Sequence, residues 1–398
     1  MWGGFPFWLS LLTLGFMMNT RLRAGVVLIA GVSAGFLTAQ AAEPRRIQIS
    51  PTETVWMKEG EMSLLSDKNH QAGRCAGFFD VTETESSWAK LDAQKESFET
   101  SFLFGGLGLE RKESIARLVE EADARNFLQH IDTLSTFHTR HAKSATGIQA
   151  AEWIANKFRE IGVNRTDIQV DLIRHSAFGQ PSVRARIVGN GPNAAEVVVI
   201  GGHEDSTRQW DSGGRARAPG ADDDASGIAT VLEVFRVVVQ SGVRSDRTLE
   251  FMAYAGEELG LVGSQDIALD YKNRHVAVVA VLQFDMTMVP GASNIMHFVT
   301  DNTNPQLNEL LRRLTDMYVG VRWSNTQCGY GCSDHASWTR AGYPSAIPFE
   351  SHFNELNNRI HTERDLLNTV KPDFGIAFAK LGVAFAAEVA GDLQSRGH

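Results

Sequence analysis

The sequence predicts an α/β fold in which a mixed, mostly parallel central sheet is sandwiched by helices. Short apolar runs at 197–200 and 276–284 lack the polar alternation of a half-exposed strand, which is typical of strands buried on both faces. These runs alternate with segments of helical periodicity, as in sheets that helices cover on each side. Charged or imidazole side chains follow three of the predicted strands within three residues. Because ligands of such sheets bind beyond the carboxyl ends of the strands, the pattern also predicts where a functional site lies.

The individual elements follow from the spacing of apolar residues. Helical spacing predicts helices at 113–131, 147–161, 228–239, 305–318 and 374–389. Alternating or continuous apolar runs predict strands at 167–174, 183–188, 197–200, 248–255, 276–284 and 345–349.

Composition limits the class of protein. The 398 residues are enough for one large domain or two smaller ones. An apolar fraction of 43% and a charged fraction of 21% are ordinary for a globular protein. A formal net charge of -9 argues against nucleic acid as a partner.

The first 42 residues have the three parts of a signal peptide. A basic n-region, an apolar stretch and a cleavage motif follow one another, at Arg21 and Arg23, 24–37 and Ala39–Ala41. Met17 or Met18 would be a more natural start for such a segment. The alternative, a membrane anchor, is disfavoured because the apolar stretch is short for a span. We therefore predict a secreted or periplasmic protein with no stable membrane span after processing.

Residues 43–109 show no regular pattern, and we interpret them as an N-terminal extension before the main domain at 110–398. Two interpretations stay open. The extension is a propeptide that assists folding or masks the site, which would make the chain a zymogen, or it is a small permanent subdomain. The propeptide is the working prediction.

Three cysteines occur, and an exported protein can keep a disulfide. Cys328 and Cys332 are close enough in sequence to close a small ring. Cys75 is then left over, and it is free, intermolecular or removed with a propeptide.

Five residues are candidate metal ligands: His203, Asp223, Glu258, Asp285 and His361. Imidazole and carboxylate groups are ligands that Zn²⁺ accepts. Five ligands exceed the need of one open catalytic zinc and suit two ions that one carboxylate bridges. The central member of the acidic triplet at 222–224 is the natural bridge.

The residues next to these candidates have predicted roles as well. Glu257 precedes a candidate ligand and suits a general base that takes a proton from metal-bound water and gives it to a leaving amine. Asp205 lies two residues after His203 and suits an acceptor that orients the imidazole. Asp222 and Asp224 support the site or cap the following helix.

Seven motifs in this order resemble those of the secreted bacterial leucyl aminopeptidases. They are GGHEDST, APGADDDASG, AYAGEELGLVGSQD, LQFDM, CGYGCSDHASW, AGYPSAIPFES and NNRIHTERD. The resemblance runs from residue 113 to the C-terminus. It implies a zinc exopeptidase fold, two Zn²⁺ per chain and aminopeptidase activity.

The resemblance assigns the metal ligands to His203, Asp223, Glu258, Asp285 and His361, with Asp223 bridging, and the general base to Glu257. It places a disulfide between Cys328 and Cys332 and, inside that ring, a tyrosine, Tyr330, that stabilises the developing oxyanion. The implied specificity pocket is apolar: Met286, Cys328, Tyr330, Cys332, Ile347, Phe349, Phe353, Leu356 and Ile360. Leu356 departs from the family, whose best-known member has a tyrosine there.

Ser333, Asp334 and His335 offer the residue types of a serine hydrolase. Three adjacent residues cannot converge as a catalytic triad does, so we expect them to be buried polar groups or support for the site.

The sequence therefore predicts a monomeric, secreted dizinc aminopeptidase, a hydrolase that acts on peptide or protein N-termini. It should prefer large apolar residues such as leucine and act through a metal-bound hydroxide, with Glu257 as general base. The alternatives are a zinc carboxypeptidase or a glutaminyl cyclase of the same fold, and a non-enzymatic binding module.

Overall fold

The computed structural model describes residues 43–50, 53–71, 78–82, 84–93, 104, 109–110, 112–209, 211, 213–242 and 244–391. The predicted signal peptide at 1–42 and Cys75 lie outside the described residues. All described residues belong to one unit of the chain, Ala42–His398.

The regular elements are numbered in chain order. The strands are β1 Arg45–Ser50, β2 Glu53–Met57, β3 Phe79–Asp80, β4 Ile168–Ile173, β5 Ser182–Ile187, β6 Glu196–His203, β7 Thr248–Tyr254, β8 Ala277–Gln283, β9 Met296–Val299, β10 Trp323–Thr326, β11 Ser345–Ala346 and β12 Pro348–Phe349. The helices are α1 Glu59–Gln71, α2 Glu85–Ala93, α3 Glu113–Glu120, α4 Ala124–Thr136, α5 Ala145–Ile161, α6 Ala225–Gln240, α7 Val262–Asn273, α8 Pro305–Leu314, α9 His335–Arg340 and α10 Pro372–Val389.

A six-stranded sheet with the order β11-β8-β6-β7-β5-β4 forms the centre of the fold. Strands β11, β8, β6 and β7 pair in parallel, whereas β5 and β4 are antiparallel to their neighbours. The predicted mixed, mostly parallel sheet is confirmed. Two three-stranded sheets have the orders β2-β1-β3 and β10-β9-β12.

Both faces of the central sheet are buried. In β6, Val198 and Ile200 pack in a large apolar cluster with α6 and α10. The alternate residues, Val197 and Val199, pack in a second cluster with α7 and α9. These two layers explain why the strand has no polar alternation in its sequence.

Most predicted elements are found within a few residues of their expected bounds, but the helix at 113–131 is wrong. It is two helices, α3 and α4. Asp123 lies between them and accepts a hydrogen bond from Arg125 N at 2.9 Å, so that it caps α4. Because a side-chain cap satisfies a free amide at a helix start, the chain begins a new helix there although the apolar periodicity continues.

The predicted strand at 345–349 is also two elements. β11 pairs with β8 of the central sheet, and β12 pairs with β9 of a small sheet. The predicted helix at 305–318 is α-helical to Leu314 and continues as a π-helical turn, Thr315–Val319.

The N-terminal extension, predicted to be irregular, contains β1, β2, β3, α1 and α2. The prediction missed it because these elements are short and bury their apolar residues against distant parts of the chain. Trp88 of α2, for example, is fully buried in the second cluster, which otherwise consists largely of residues from the central sheet, α7 and α9. Strands β9 and β10 and helices α7 and α9 were missed as well.

Candidate metal centre

Three parallel strands bring candidate ligands to one edge of the central sheet. His203 is the last residue of β6, Glu257 and Glu258 follow β7, and Asp285 follows β8. Strand β6 lies between β7 and β8, with His203 opposite Tyr254 on one side and Gly201 opposite Gln283 on the other. The expected convergence of these segments is therefore present.

Asp223 lies at the centre of the candidate ligands and presents its two oxygens to two different partners. Its Oδ1 is 3.1 Å from Nε2 of His203, and its Oδ2 is 2.9 Å from Nε2 of His361. Nε2 of His203 is also 3.5 Å from Oδ1 of Asp285, and Nε2 of His361 is 3.0 Å from Oε2 of Glu258. Two ligand groups result, and Asp223 belongs to both.

The donor atoms of these groups fit metal ions. All five residues are buried, and the ligand atoms of each group lie within 4.8 Å of one another. Both oxygens of Asp223, both of Glu258 and Oδ1 of Asp285 are buried without a hydrogen bond of acceptable geometry from the described residues. Since buried carboxylates that accept no hydrogen bond are costly, a cation is an expected additional partner.

The electrostatics of the two groups agree with this arrangement. Burial opposes ionisation of Asp223, but the adjacent side chains of His203 and His361 hold its pKa below the usual range. Burial raises the pKa of Glu258 to about 7, although the nearby His361 favours its charged form. Divalent cations bound here would favour the charged form of both carboxylates.

Glu257 differs from the ligands in that it belongs to neither ligand group. Its side chain is 1% exposed, and neither carboxylate oxygen accepts a hydrogen bond from the described residues. Burial raises its pKa well above the usual range, and the charges of Glu258 and Asp285 act in the same direction. A carboxyl group in these surroundings is suited to accept and release a proton.

Asp205 lies beside the first histidine and holds the turn after β7. Its Oδ1 is 3.5 Å from Nδ1 of His203, but that nitrogen makes no hydrogen bond of acceptable geometry with the described residues. The same carboxylate accepts hydrogen bonds from the backbone N–H of Glu257 at 3.1 Å and of Glu258 at 3.2 Å. The orientation of the imidazole by Asp205 stays a prediction, and the contact with the turn was not predicted.

Asp224 joins three segments of the site. It caps α6, where its Oδ1 accepts from Gly227 N at 2.8 Å, as the sequence indicated. It also accepts from His203 N at 3.1 Å and from Met286 N at 3.1 Å. One buried side chain thus connects the ends of β6 and β8 to the start of a helix.

Sequence reasoning missed Asp365 and Arg140. Asp365 is buried and accepts hydrogen bonds from the backbone N–H groups of Asp222 and Asp223 at 3.0 Å each. It lies four residues after His361 in the same motif, which was the available signal. Arg140 is fully buried and donates to the carbonyl oxygens of Glu204 and Gly220, so it holds the loop before the acidic triplet.

Two residues of the site have a left-handed backbone. His361 has φ 54° and Met286 has φ 56°. Such conformations are uncommon for residues other than glycine and are retained where the surroundings impose them, often at functional sites.

The ring that contains Tyr330 is closed by a disulfide between Cys328 and Cys332. Asp301 accepts hydrogen bonds from Cys328 N at 2.9 Å and Gly329 N at 2.6 Å, and Asn302 donates to Tyr330 O at 2.8 Å. The ring is therefore held to the chain that follows β9.

An apolar cluster separate from the two core clusters lies around Tyr330. It contains Met286, Val299, Cys328, Tyr330, Cys332, Ile347, Phe349, Phe353 and Ile360, with Leu356 packed against it. Every residue of the predicted specificity pocket is among them, and Val299 was not predicted. Since Met286 directly follows Asp285, this cluster adjoins the ligand groups.

Ser333, Asp334 and His335 do not form a triad. Ser333 Oγ and Asp334 Oδ2 both accept hydrogen bonds from Gln283 Nε2, at 3.3 and 3.2 Å. Burial lowers the pKa of His335 to about 3, so the imidazole is neutral and enclosed. The three residues are buried polar groups, as expected.

Several known proteins are similar to this chain in sequence and in fold. A leucine aminopeptidase 1 of Pyrenophora teres f. teres is 34% identical over 369 residues, which cover 89% of this chain and 90% of the relative. The crystal structure of the Legionella pneumophila LapA aminopeptidase matches with a TM-score of 0.77 at 27% identity, over 88% of this chain and 99% of that chain. A glutaminyl cyclase of Bacteroides thetaiotaomicron shares the fold at 16% identity and a TM-score of 0.52, over 66% of this chain and 97% of that chain.

The family match covers the segments that build the site. Residues 182–386 match Peptidase family M28. They include all five candidate ligands, Glu257 and the disulfide ring. The chain therefore belongs to peptidase family M28 and is a zinc metallo-aminopeptidase.

Proposed function

We propose that this aminopeptidase holds two zinc ions in one site and removes large apolar residues, such as leucine, from peptide N-termini. The observation that carries the proposal is the position of Asp223. Its two oxygens lie next to two separate groups, each with one histidine and one further carboxylate. One carboxylate that serves both groups is the arrangement expected of a bridged metal pair.

In this proposal His203, Asp223 and Asp285 would hold one ion, and Asp223, Glu258 and His361 would hold the other. When bound, the ions supply a water molecule of lowered pKa and polarise the scissile carbonyl. Glu257 would take a proton from the attacking water and pass it to the departing amine. The Tyr330 hydroxyl donates a hydrogen bond to the developing oxyanion.

The apolar cluster around Tyr330 is the proposed seat of the substrate's N-terminal side chain. Its stacked pair, Phe349 and Phe353, has ring centroids 4.9 Å apart, and the rings of Phe353 and Tyr330 form a T-shaped pair with centroids 6.4 Å apart. Such a surface suits a large apolar side chain. The names of the curated relatives, which are leucine aminopeptidases, support the same preference.

We propose further that the protein is secreted or periplasmic and acts as a monomer. The disulfide between Cys328 and Cys332 supports an oxidising compartment. Among the described residues, none of the helices has the length and apolar character that crossing a membrane requires.

Two substrates test the activity. The purified zinc-loaded protein is given leucine p-nitroanilide, and in parallel an N-blocked peptide with a free C-terminus. Release of p-nitroaniline with the blocked peptide intact is the expected result. Cleavage of only the blocked peptide would identify a carboxypeptidase. A peptide with a free N-terminal glutamine serves as a further substrate, and its cyclisation without hydrolysis would identify a cyclase. Alanine and lysine p-nitroanilides test the pocket, and both should be cleaved more slowly than the leucine compound.

A further inference from the structure

Part of the N-terminal extension docks on the turn at 256–261, which follows β7 and carries the proposed general base. We call residues 78–82 and 84–90 the docking segment. The N–H of Asp80 donates a hydrogen bond to Gly260 O at 3.1 Å. Gly260 has φ 99°, and a Cβ there would lie 2.7 Å from Asp80 N. The two backbones approach so closely that only glycine fits at this position.

The side chain of Gln265 joins the docking segment to this turn. Gln265 belongs to α7 and is fully buried. Its Nε2 donates to Asp80 O at 3.1 Å and to Gly260 O at 2.9 Å. Its Oε1 accepts from Trp88 Nε1 at 3.0 Å and from Thr84 Oγ1 at 3.2 Å. Both amide donors and both acceptor positions are thus used, and three of the four partners come from the docking segment.

The docking segment also fills the second apolar cluster and reaches the disulfide ring. Trp88 is fully buried, and the guanidinium of Arg340 lies 4.6 Å from its ring centroid. Phe79 lies so close to Gly331 that a Cβ there would overlap its ring. Gly331 follows Tyr330 directly, so the segment contacts both loops that carry the proposed catalytic side chains.

The position of Glu257 depends on how this turn is held, because its carboxylate accepts no hydrogen bond from the described residues. Within the turn, Gly260 N and Leu261 N donate to Glu257 O at 2.9 and 2.8 Å. Asp205 holds the N–H of Glu257 from one side. Asp80 and Gln265 hold the carbonyl of Gly260 from the other.

A solved relative has a counterpart of the extension. Residues 110–398 are less than three quarters of the chain, whereas the LapA structure matches 88% of it. The match must therefore extend into the N-terminal residues. Because it covers 99% of the LapA chain, that crystallised aminopeptidase contains corresponding residues.

We propose that the docking segment stays bound in the active enzyme and positions the turn that carries Glu257, with Gln265 and Trp88 as positioning residues. This rests on the proposed role of Glu257. A displacement of about 1 Å in a catalytic group costs roughly 100-fold in rate. A propeptide that only masks the site would have the opposite effect, since its removal would raise activity.

Cleavage of the chain between the docking segment and the rest of the protein tests whether the segment stays bound. A site-specific protease sequence is inserted between residues 93 and 104, and the purified zinc-loaded enzyme is cut. The fragment should co-elute with the body, and kcat on leucine p-nitroanilide should be retained. After release of the fragment in moderate urea and exchange into buffer, kcat should fall at least about 10-fold with zinc content unchanged, and the re-added fragment should restore it. An unchanged or higher kcat of the fragment-free body would overturn the proposal.

Two substitutions test the positioning role. Gln265→Met removes the four hydrogen bonds, and Trp88→Phe removes one of them and keeps an aromatic ring. Both should lower kcat, by roughly 10- to 100-fold for Gln265→Met, with KM within about twofold and zinc content unchanged. Trp56→Phe is the matched control, because Trp56 belongs to the same extension but is 63% exposed, and it should keep the wild-type kcat.

A purely structural role predicts another result. If both variants unfold at lower temperature but keep the wild-type kcat well below that temperature, the positioning role is wrong. If Gln265→Met does not fold, Trp88→Phe and the cleavage experiment decide. Normal activity in Glu257→Gln would instead refute the proposed function, whatever the Gln265 variant shows.

Discussion

At the scale of single residues, Asp223 and Glu257 are both buried carboxylates with different surroundings. Asp223 lies within 3.1 Å of two imidazole nitrogens, whereas Glu257 belongs to neither ligand group. Metal binding should therefore depend on Asp223, and proton transfer should depend on Glu257.

We predict that Glu257→Gln keeps the zinc content of the wild type and loses about 10²- to 10⁴-fold in kcat, the usual contribution of a general base. Asp223→Ala should lose zinc as well as activity. Elemental analysis and leucine p-nitroanilide kinetics measure both effects. Glu233→Gln is the control, since Glu233 is a buried carboxylate whose partners include Asp123 N and no candidate ligand, and it should stay active. Near-normal turnover of Glu257→Gln would show that another group is the base.

His130 provides a prediction about stability and pH. Burial lowers its pKa to about 4. In the unfolded chain its pKa is about 6.5. As the pH falls from about 6.5 to about 4, the unfolded chain binds a proton that the folded chain does not, so the free energy of unfolding decreases. The loss due to this residue reaches about 3 kcal/mol.

Urea unfolding of the wild type and His130→Leu between pH 4 and 8 measures this loss. The variant should gain stability relative to the wild type below pH ~6.5, and the difference between them should be constant above pH ~7. The exposed His275 is the control, and His275→Asn should follow the wild type at every pH. A difference between His130→Leu and the wild type that is independent of pH would contradict the assignment.

At the scale of elements, the residue that caps the start of α6 also joins this helix to the ends of two strands. Asp224 caps the helix and also accepts hydrogen bonds from the backbone N–H groups of His203 and Met286. Asp123 caps α4, but the backbone donor to its side chain is only Arg125 among the described residues. The two caps therefore differ in how many segments they join.

We predict that Asp224→Ala lowers the free energy of unfolding by at least about 3 kcal/mol, because it leaves buried N–H groups without partners. Asp123→Ala should cost about 1 kcal/mol, the usual value for a lost cap. Urea unfolding compares the two. Zinc affinity should fall only in the Asp224 variant, since its partner His203 is a proposed ligand, and equal effects on stability and zinc affinity would refute the role of Asp224.

At the scale of the whole molecule, one edge of the central sheet collects buried acidic groups. They include Asp222, Asp223, Asp224, Glu257 and Asp285, each of which is at most 3% exposed. Like charges at close range oppose folding unless cations or protons compensate them. Metal ions should therefore contribute to the stability of the entire fold.

We predict that chelation lowers the unfolding temperature and that two equivalents of zinc restore it. A ligand at 1,000 times its Kd stabilises a protein by about 4 kcal/mol. For a chain of this size, this corresponds to a shift of roughly 5 °C. Thermal scans with a chelator and with added zinc measure it. Asp223→Ala is the control and should not respond, and an unchanged unfolding temperature of the wild type after chelation would contradict the prediction.

Much of the catalytic domain was predictable because its signals are local. Strands buried on both faces lack polar alternation, as the run at 197–200 does, and strand ends in parallel sheets meet at one edge. His203, Glu258 and Asp285 were therefore predictable as neighbours. Helix α6 was recognisable from its apolar residues and the capping aspartate.

Other features required the tertiary structure because their partners are distant in the sequence. Asp365 holds backbone groups 142 residues away, and Trp88 bonds to a side chain 177 residues away. The extension appeared irregular because its short elements complete a core that they share with α7 and α9. By itself, the sequence determined that the central sheet is mixed and mostly parallel, which residues are the candidate metal ligands, and which family the chain resembles. Only the tertiary structure decided which histidine and which carboxylate share each group with Asp223 and that the extension contacts the turn of Glu257, since both depend on distances between segments that no local pattern encodes.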